Sequence, residues 1–73
     1  MMKYNEKIRE AREDNDLSQT AVAKMLGTTQ QQIYKYENGL QEMTASRLRD
    51  YCIALNISAD YILGLPKGMK WPR

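Results

Sequence analysis

The chain has 73 residues and a mass of 8.5 kDa, which corresponds to one small domain. It contains no histidine and one cysteine, so a structural zinc site, a disulfide framework and imidazole-based catalysis are excluded. No apolar run reaches the roughly 20 residues of a membrane span, and the first residues lack the apolar stretch of a signal peptide. We therefore expect a cytoplasmic protein. The net charge of +2 is too small to indicate a partner by itself.

The first two of five predicted short helices end at residues that tolerate a left-handed backbone. Helix 1 covers about residues 5–14, and Asn15 and Asp16 follow it. Helix 2 begins after Ser18, a favourable N-cap, and ends at Gly27, where glycine adopts a positive φ without steric strain. Cap residues and apolar spacing therefore agree on the same boundaries.

The three later helices have the same kind of boundaries. Their predicted N-caps are Thr29, Thr44 and Ser58, and their ends fall at Asn38–Gly39, Leu55 and Gly64. Gln32 follows Thr29 by three residues, so the two are predicted to form a capping box. Cys52 lies on the apolar stripe of helix 4, where we interpret it as a small core residue.

Helices 2 and 3 are separated by very few residues. So short a connection cannot bring the two helices into parallel contact, and it predicts a steep crossing as in a helix-turn-helix unit. Ala23 is small enough for the close approach of the two backbones. The predicted inward-facing residues are Val22, Leu26, Ile33 and Tyr36.

Two stretches resemble the helix-turn-helix domain of the lambdoid phage repressor and Cro family, which bacteria also use widely in small regulators. They are LSQTAVAKMLGTTQQQIYKYENG (residues 17–39) and ALNISADYILG (residues 54–64). The resemblance implies an all-α, five-helix DNA-binding domain over residues 1–65, followed by a short basic tail over residues 66–73. It implies a bacterial or phage-encoded transcriptional regulator, expected to be a repressor, with helix 3 in the major groove of an operator. We expect no cofactor and no metal.

One face of helix 3 is predicted to contact base edges. With Ile33 set inward, steps of about 100° per residue point Gln31 and Lys35 outward. A glutamine amide carries a donor and an acceptor that match adenine N7 and N6 in the major groove. The predicted base-reading residues are Gln30, Gln31, Gln32 and Lys35. The alternative is that the glutamines are only adequate helix formers on a wet surface.

Further residues are predicted to contact the DNA backbone or to hold the scaffold. By resemblance, Gln19 at the start of helix 2 meets a phosphate, together with backbone N–H groups of that helix end. The backbone set comprises Gln19, Lys24, Tyr34, Asn38 and Arg47. The resemblance also implies an ion bridge between Arg12 in helix 1 and Glu37 in helix 3, which we interpret as scaffold.

The loop after helix 3 departs from the family's pattern. Relatives often carry lysine or arginine there, whereas this chain has Leu40, Gln41, Glu42 and Met43. Because Glu42 would repel phosphate, Arg47 is the nearest replacement cation, and we expect a modest affinity for each protomer.

Two copies are expected to act together on a palindromic operator, since one recognition helix contacts only a few base pairs. Relatives pair near the fifth helix, and the candidates here are Ile57, Tyr61, Leu65 and Trp71. We expect Trp71 to pack against its own domain or its mate, and the homodimer to be weak in solution and reinforced on DNA. A solvated, frayed tail is the alternative.

Three other functions fit the sequence to different degrees. An enzyme is not expected, because no recognisable pair of acids or nucleophile and base is present. A protein-interaction module would keep the helix-turn-helix as scaffold and bind a partner through Tyr34, Leu40, Met43 and Trp71. The antitoxin half of a toxin–antitoxin pair also stays open. It differs from a phage-type repressor or a restriction–modification controller in its genomic neighbours, which the sequence does not contain.

Overall fold

The computed structural model describes residues 3–69 and residue 71. This part of the chain forms five helices and no strand, in the order α1 Tyr4–Asp14, α2 Gln19–Leu26, α3 Gln30–Glu37, α4 Ala45–Leu55 and α5 Ala59–Leu63. The predicted all-α, five-helix class is confirmed. Helix α1 begins one residue before the predicted start.

Hydroxyl side chains begin the four later helices. Each accepts a hydrogen bond from a backbone N–H in the first turn, a group that has no partner within its helix. The pairs are Ala21 to Ser18 at 3.0 Å, Gln32 to Thr29 at 3.2 Å, Arg47 to Thr44 at 3.1 Å and Asp60 to Ser58 at 3.1 Å. All four predicted N-caps are confirmed.

Left-handed residues separate several of the helices. Asp16, in the turn after α1, has φ 56°, and Asn56, which ends α4, has φ 54°. Aspartate and asparagine tolerate this conformation better than other residues that carry a Cβ. These two positions therefore reverse the chain without glycine.

The core takes one fully buried side chain from each helix. They are Ile8, Val22, Ile33, Tyr51 and Ile62, each at most 1% exposed. The hydroxyl of Tyr51 donates to the backbone carbonyl of Ile8, which satisfies the phenol where water is excluded. Burial also raises the pKa of Tyr51 above its ordinary value.

Cys52 is buried beside Tyr51 on α4, as predicted for a core residue. Burial raises the pKa of its thiol, so the side chain stays protonated at neutral pH. Cys52 therefore acts as a small apolar residue.

The packing of the helices against one another leaves one face of α3 exposed. This helix packs against α2 and α1, while α4 packs against α2 and α5, and α5 also contacts α1. The side chains of Ile33, Tyr36 and Glu37 turn inward and are buried. The opposite side of α3 is left for other contacts.

Candidate nucleic-acid interface

The turn between α2 and α3 holds the two helices in a fixed relation. Gly27 has φ 68° and ψ 35°, a left-handed conformation that glycine adopts without strain. The N–H of Thr28 then donates to the carbonyl of Ala23 at 2.9 Å, which ties the turn to the last part of α2. Ala23 is buried, as expected for a small residue at a close approach.

The outward face of α3 is polar and carries a cation. Gln30, Gln31 and Lys35 are exposed, and Tyr34 is 49% exposed beside them. The helical phase predicted for Gln31 and Lys35 therefore agrees with the structure. These four side chains form what we call the α3 face, and they offer hydrogen-bond donors, acceptors and one positive charge.

Gln32 differs from the other two glutamines. Its side chain is half-buried, and its Nε2 atom is shielded from solvent without a hydrogen-bond partner. In this conformation the amide nitrogen is not exposed to a base edge, which disfavours Gln32 as a base-reading residue. The capping box is seen only in part, since Thr29 accepts from the backbone of Gln32.

The expected ion bridge between α1 and α3 is present. Arg12 Nε lies 2.6 Å from Glu37 Oε2, and Arg12 Nη2 lies 3.0 Å from Oε1, so the pair is bidentate. Arg12 Nη1 also donates to the carbonyl of Leu17 at 2.8 Å. Hydrogen bonding to Glu37 raises the pKa of Arg12, although partial burial opposes the shift. The guanidinium therefore joins α1, the following turn and α3.

A chain of amides extends this ion pair to the α3 face. Gln19 Nε2 donates to Glu37 Oε1 at 3.0 Å, and Gln30 Nε2 donates to Gln19 Oε1 at 2.6 Å. Gln19 and Gln30 are the first residues of α2 and α3. Gln19 is predicted from the sequence as a phosphate contact, and this link to Glu37 and Gln30 is not among the predictions. An inward glutamate on α3 and a glutamine opening each motif helix were the available signals.

The remaining residues predicted to contact the DNA backbone differ in their solvent exposure and in their hydrogen bonds within the protein. Lys24 and Lys35 are exposed. Asn38 Nδ2 donates to the carbonyl of Tyr34 at 2.8 Å and so caps its own helix. Arg47 is half-buried, and its Nη1 donates to the carbonyl of Leu26 at 2.7 Å. Lys24, from the predicted backbone set, and Lys35, from the predicted base-reading set, are thus exposed cations, whereas Arg47 is bonded within the fold.

The loop after α3 offers little to an anion. Leu40 is 67% exposed, and Glu42 is exposed as well. Met43 is half-buried against the core, and its N–H donates to the Tyr4 hydroxyl at 3.2 Å. Met43 is therefore not part of the exposed surface that a protein-interaction module would need.

Several large apolar side chains in and after α5 are exposed, and we call them the surface around α5. Its members are Tyr61, Leu63, Leu65, Met69 and Trp71, with Trp71 90% exposed. Ile57, by contrast, is half-buried and packs against the core, and its place among the pairing candidates stays a prediction. Trp71 is not packed against its own domain, and its packing against a mate stays a prediction.

Tyr61 is held in place by α1. Its hydroxyl donates to Glu10, and Lys7 Nζ donates to its backbone carbonyl at 3.0 Å. The Lys7 ammonium lies 5.0 Å from the centre of the tyrosine ring. The hydrogen bond to Glu10 raises the pKa of Tyr61. Tyr61 is therefore tied to α1, and it lines a groove of about 480 Å³.

Two further properties concern the described residues 3–69 and 71 only. No helix among them is both long and apolar enough to cross a bilayer. They also contain no group of three or more histidine, cysteine, aspartate or glutamate side chains placed to hold a metal ion.

Comparison with protein families agrees with this geometry. The family model described as helix-turn-helix matches residues 8–62. This range includes α2, α3 and the turn between them, together with the residues of the ion pair. The chain belongs to this helix-turn-helix family. The resemblance to phage repressors, drawn from the sequence, is thereby confirmed.

Similar proteins include transcriptional regulators of two bacteria. The chain is 38% identical over 56 residues to an uncharacterised HTH-type transcriptional regulator, y4wC, of Sinorhizobium fredii, and the match covers 77% of the chain. It is 36% identical over 74 residues to an uncharacterised transcriptional regulator in the ATPase CF(0) region of Rhodospirillum rubrum, covering 93% of the chain and 68% of that protein. The chain spans only 39% of the length of the Sinorhizobium relative.

A solved structure has the same fold. The P22 c2 repressor, crystallised in complex with a synthetic operator, superimposes with a TM-score of 0.80 and 30% sequence identity. The match covers 86% of this chain and 96% of the repressor chain. The five-helix architecture is thus that of a repressor domain seen on its operator.

Proposed function

We propose that this chain is a DNA-binding transcriptional regulator that reads the major groove of double-stranded DNA with α3. The observation that carries the proposal is the exposed α3 face within a helix-turn-helix. A likeness to a repressor bound to its operator supports it. Such a motif presents its second helix to base edges while its first helix lies across the backbone. The DNA partner implies a cytoplasmic location in a bacterium.

Gln30, Gln31 and Lys35 are the proposed base-reading residues. A glutamine amide can donate to adenine N7 and accept from N6, whereas lysine donates to guanine O6 and N7. All three side chains are exposed. Gln32 is left out, because its amide nitrogen is buried.

Phosphate contacts are proposed for the cations and helix ends around this face. Lys24 and Lys35 supply positive charge, and the first turn of α2, which begins at Gln19, is a helix N-terminus of the kind that binds anions. Tyr34 on the α3 face and Asn38 at the end of α3 are further proposed contacts. Arg47 in α4 supplies a positive charge. With so few cations, the electrostatic part of the affinity should be modest.

Pairing of two copies on a palindromic operator is proposed because one recognition helix contacts too few base pairs to select an operator. The exposed apolar surface around α5 supports this, with Tyr61, Leu65 and Trp71 as the contacting residues. We expect the dimer to be weak in solution and strengthened on DNA. A pair bound at a promoter acts as a repressor by occupying the site.

Two other contexts compete with this proposal. An antitoxin that also binds its own promoter would use the same α3 face, and its gene would lie beside that of a toxin. A pure protein-interaction module would use Tyr34, Leu40 and Trp71, which are exposed. The polar character of the α3 face favours DNA over a protein partner.

The test is selection of bound sequences from a random double-stranded library, followed by titration of the enriched site. We expect a palindromic site bound more tightly than scrambled DNA. The affinity should fall with salt by a slope of about −0.9 for each phosphate neutralised. Absence of enrichment, or an affinity that does not change with salt, would exclude DNA recognition and leave the interaction module.

A further inference from the structure

Helix α5 is too short to fix its own direction. It has five residues, and an isolated helix is marginal in water below about 12–15 residues. Ile62 is its one buried side chain, and Ala59 packs partly against the core. The direction of α5 within the domain therefore depends on contacts that other helices supply.

Two side chains of α1 hold Tyr61 of α5 at both of its ends. Lys7 Nζ donates to the backbone carbonyl of Tyr61 at 3.0 Å, and the Tyr61 hydroxyl donates to Glu10. The Lys7 ammonium also lies 5.0 Å from the centre of the Tyr61 ring. Lys7 and Glu10 are separated by one turn of helix, so they share one face of α1. We call Lys7, Glu10 and Tyr61 the α1–α5 clamp.

Helix α1 is also fixed to α3. Arg12 forms the bidentate pair with Glu37, and the amide of Asn5 donates to the backbone carbonyl of Glu37 at 3.1 Å. Asn5 and Arg12 belong to the same uninterrupted helix as the clamp residues Lys7 and Glu10. Helix α1 therefore connects the α3 face to the surface around α5.

In a pair of molecules, a small change in the direction of α5 has a large effect. If two copies meet through the surface around α5, the angle between α5 and α1 determines where each α3 lies on the duplex. The domain measures 24 and 22 Å along its two shorter axes. A tilt of about 10° displaces its far side by about 4 Å, close to the rise of one base pair, about 3.4 Å.

We infer that Lys7 and Glu10 are positioning residues that, through Tyr61, fix the number of base pairs between the two half-sites of the operator. This inference rests on the proposed function, because it needs two copies paired on DNA through the surface around α5. Neither Lys7 nor Glu10 has to touch DNA or the mate. They hold α5 in one direction, so that one spacing lets both α3 faces reach base edges.

The deciding experiment varies the spacer between two copies of the selected half-site, one base pair at a time, over one helical turn of about 10 base pairs. For the full wild-type chain we expect one preferred spacer, with affinity lower by roughly 5- to 150-fold at the others, the range of a typical coupling between sites. Lys7→Met/Glu10→Gln removes both charges of the clamp and keeps the net charge of the chain. Its affinities for the different spacers should differ by less than about fivefold, below that range. Its affinity for a single half-site should equal that of the wild type.

Arg9→Met/Glu13→Gln is the matched control. It makes the same change of charge at two exposed positions of α1 outside the clamp, and it should keep the wild-type spacer preference. Glu10→Gln alone leaves Lys7 in place and should broaden the preference to a smaller extent. Circular dichroism and thermal unfolding show which variants are folded. If the double variant does not fold, Glu10→Gln decides alone.

A second readout needs no DNA. The hydrogen bond to Glu10 raises the pKa of Tyr61 in the wild-type chain. Glu10→Gln should lower this pKa toward its ordinary value, and Glu13→Gln should not. NMR of ¹³C-labelled tyrosine follows the titration, with Tyr61→Phe identifying the resonance.

The outcomes separate the inference from the proposed function. An unchanged spacer preference in the folded clamp variants overturns the inference. An equal loss of affinity at every spacer and at the single half-site also overturns it, because a merely structural role has that result. A wild-type chain that binds half-sites without a preferred spacer overturns it as well, while the reading of DNA by α3 stands. If the wild-type chain selects no DNA sequence, the proposed function fails and the inference fails with it, and the pKa of Tyr61 still reports whether the clamp forms.

Discussion

Arg47 in α4 donates a hydrogen bond from Nη1 to the backbone carbonyl of Leu26, the last residue of α2, at 2.7 Å. Carbonyls in the last turn of a helix have no partner within it, so this cation satisfies one of them and complements the negative end of the helix dipole. The bond also joins α4 to the residue that precedes the turn of the helix-turn-helix. Arg47, which is predicted to contact the DNA backbone, thus also links α4 to the helix-turn-helix.

Arg47→Ala should therefore reduce stability before it reduces DNA affinity. We expect the free energy of unfolding to fall by about 1–2 kcal/mol, since a hydrogen bond from a charged group is lost at a half-buried site. Denaturant unfolding measures this loss. Arg49→Ala, which removes an arginine exposed on the same helix, is the matched control and should change stability by less than about 0.5 kcal/mol.

Gln31→Ala tests base recognition at the centre of the α3 face. Because Gln31 is exposed, its removal should leave folding intact, and it should weaken specific binding by about 1–3 kcal/mol at one base pair in each half-site. Titrations of the selected site and of its single-base variants measure the effect. Lys24→Ala should instead lower the affinity for all sequences alike and reduce the salt slope by about one. Equal weakening on specific and scrambled DNA would mean that Gln31 does not read a base.

Gly27→Val tests the turn between the motif helices. Gly27 has φ +68°, and a Cβ added there would meet no heavy atom within 4 Å, so backbone conformation alone opposes a side chain. We expect a β-branched residue to destabilise the fold by about 1–3 kcal/mol. Gly27→Asn fills similar space but tolerates a left-handed backbone, and it should retain most of the stability. Equal melting temperatures for the two variants would show that φ is not the limiting factor.

Tyr51→Phe tests the buried phenol. Burial raises the pKa of Tyr51, whereas in the unfolded chain the phenol titrates near its ordinary value of 10. The folded state therefore loses stability relative to the unfolded state as the pH rises above about 10, and the loss is absent below that pH. We expect the variant to be about 1 kcal/mol less stable at pH 7, where the bond to Ile8 is lost, and to decline less steeply at alkaline pH. Parallel pH profiles for the two proteins would contradict this account.

Removal of residues 65–73 tests the pairing surface around α5. The described residues beyond Gly64 are exposed, so the truncated protein should keep its helical content and nearly its full melting temperature. We expect affinity and cooperativity on a two-half-site operator to fall, because Leu65 and Trp71 are lost. Affinity for a single half-site should stay the same. Full cooperativity in the truncated protein would exclude this segment from pairing.

Helix boundaries and helix faces were predictable from the sequence because the interactions that set them are local. A hydroxyl such as that of Thr44 caps an N–H three residues away, and Asp16 reverses the chain through its own dihedral angles. The outward position of Gln31 follows from helical periodicity and one inward reference, Ile33. Such patterns need no knowledge of the neighbouring helices.

The roles of Gln32, Ile57 and Trp71 were not predictable in the same way. Periodicity places Gln32 at the border of the α3 face, but only packing decides that its amide nitrogen is buried. Ile57 precedes α5 and packs against the core, while Trp71 is exposed. Burial at such border and terminal positions depends on surrounding elements that the local pattern does not contain.

The sequence by itself determined five helices, their caps, the short glycine turn and a polar outward face on α3. Only the tertiary structure decided which polar groups meet. Gln19 lies 11 residues from Gln30 and 18 from Glu37, and its hydrogen bonds to both require α2 and α3 to be packed together. Local propensities act over three or four residues, whereas the direction of an amide is set by whichever donor or acceptor the fold brings to it.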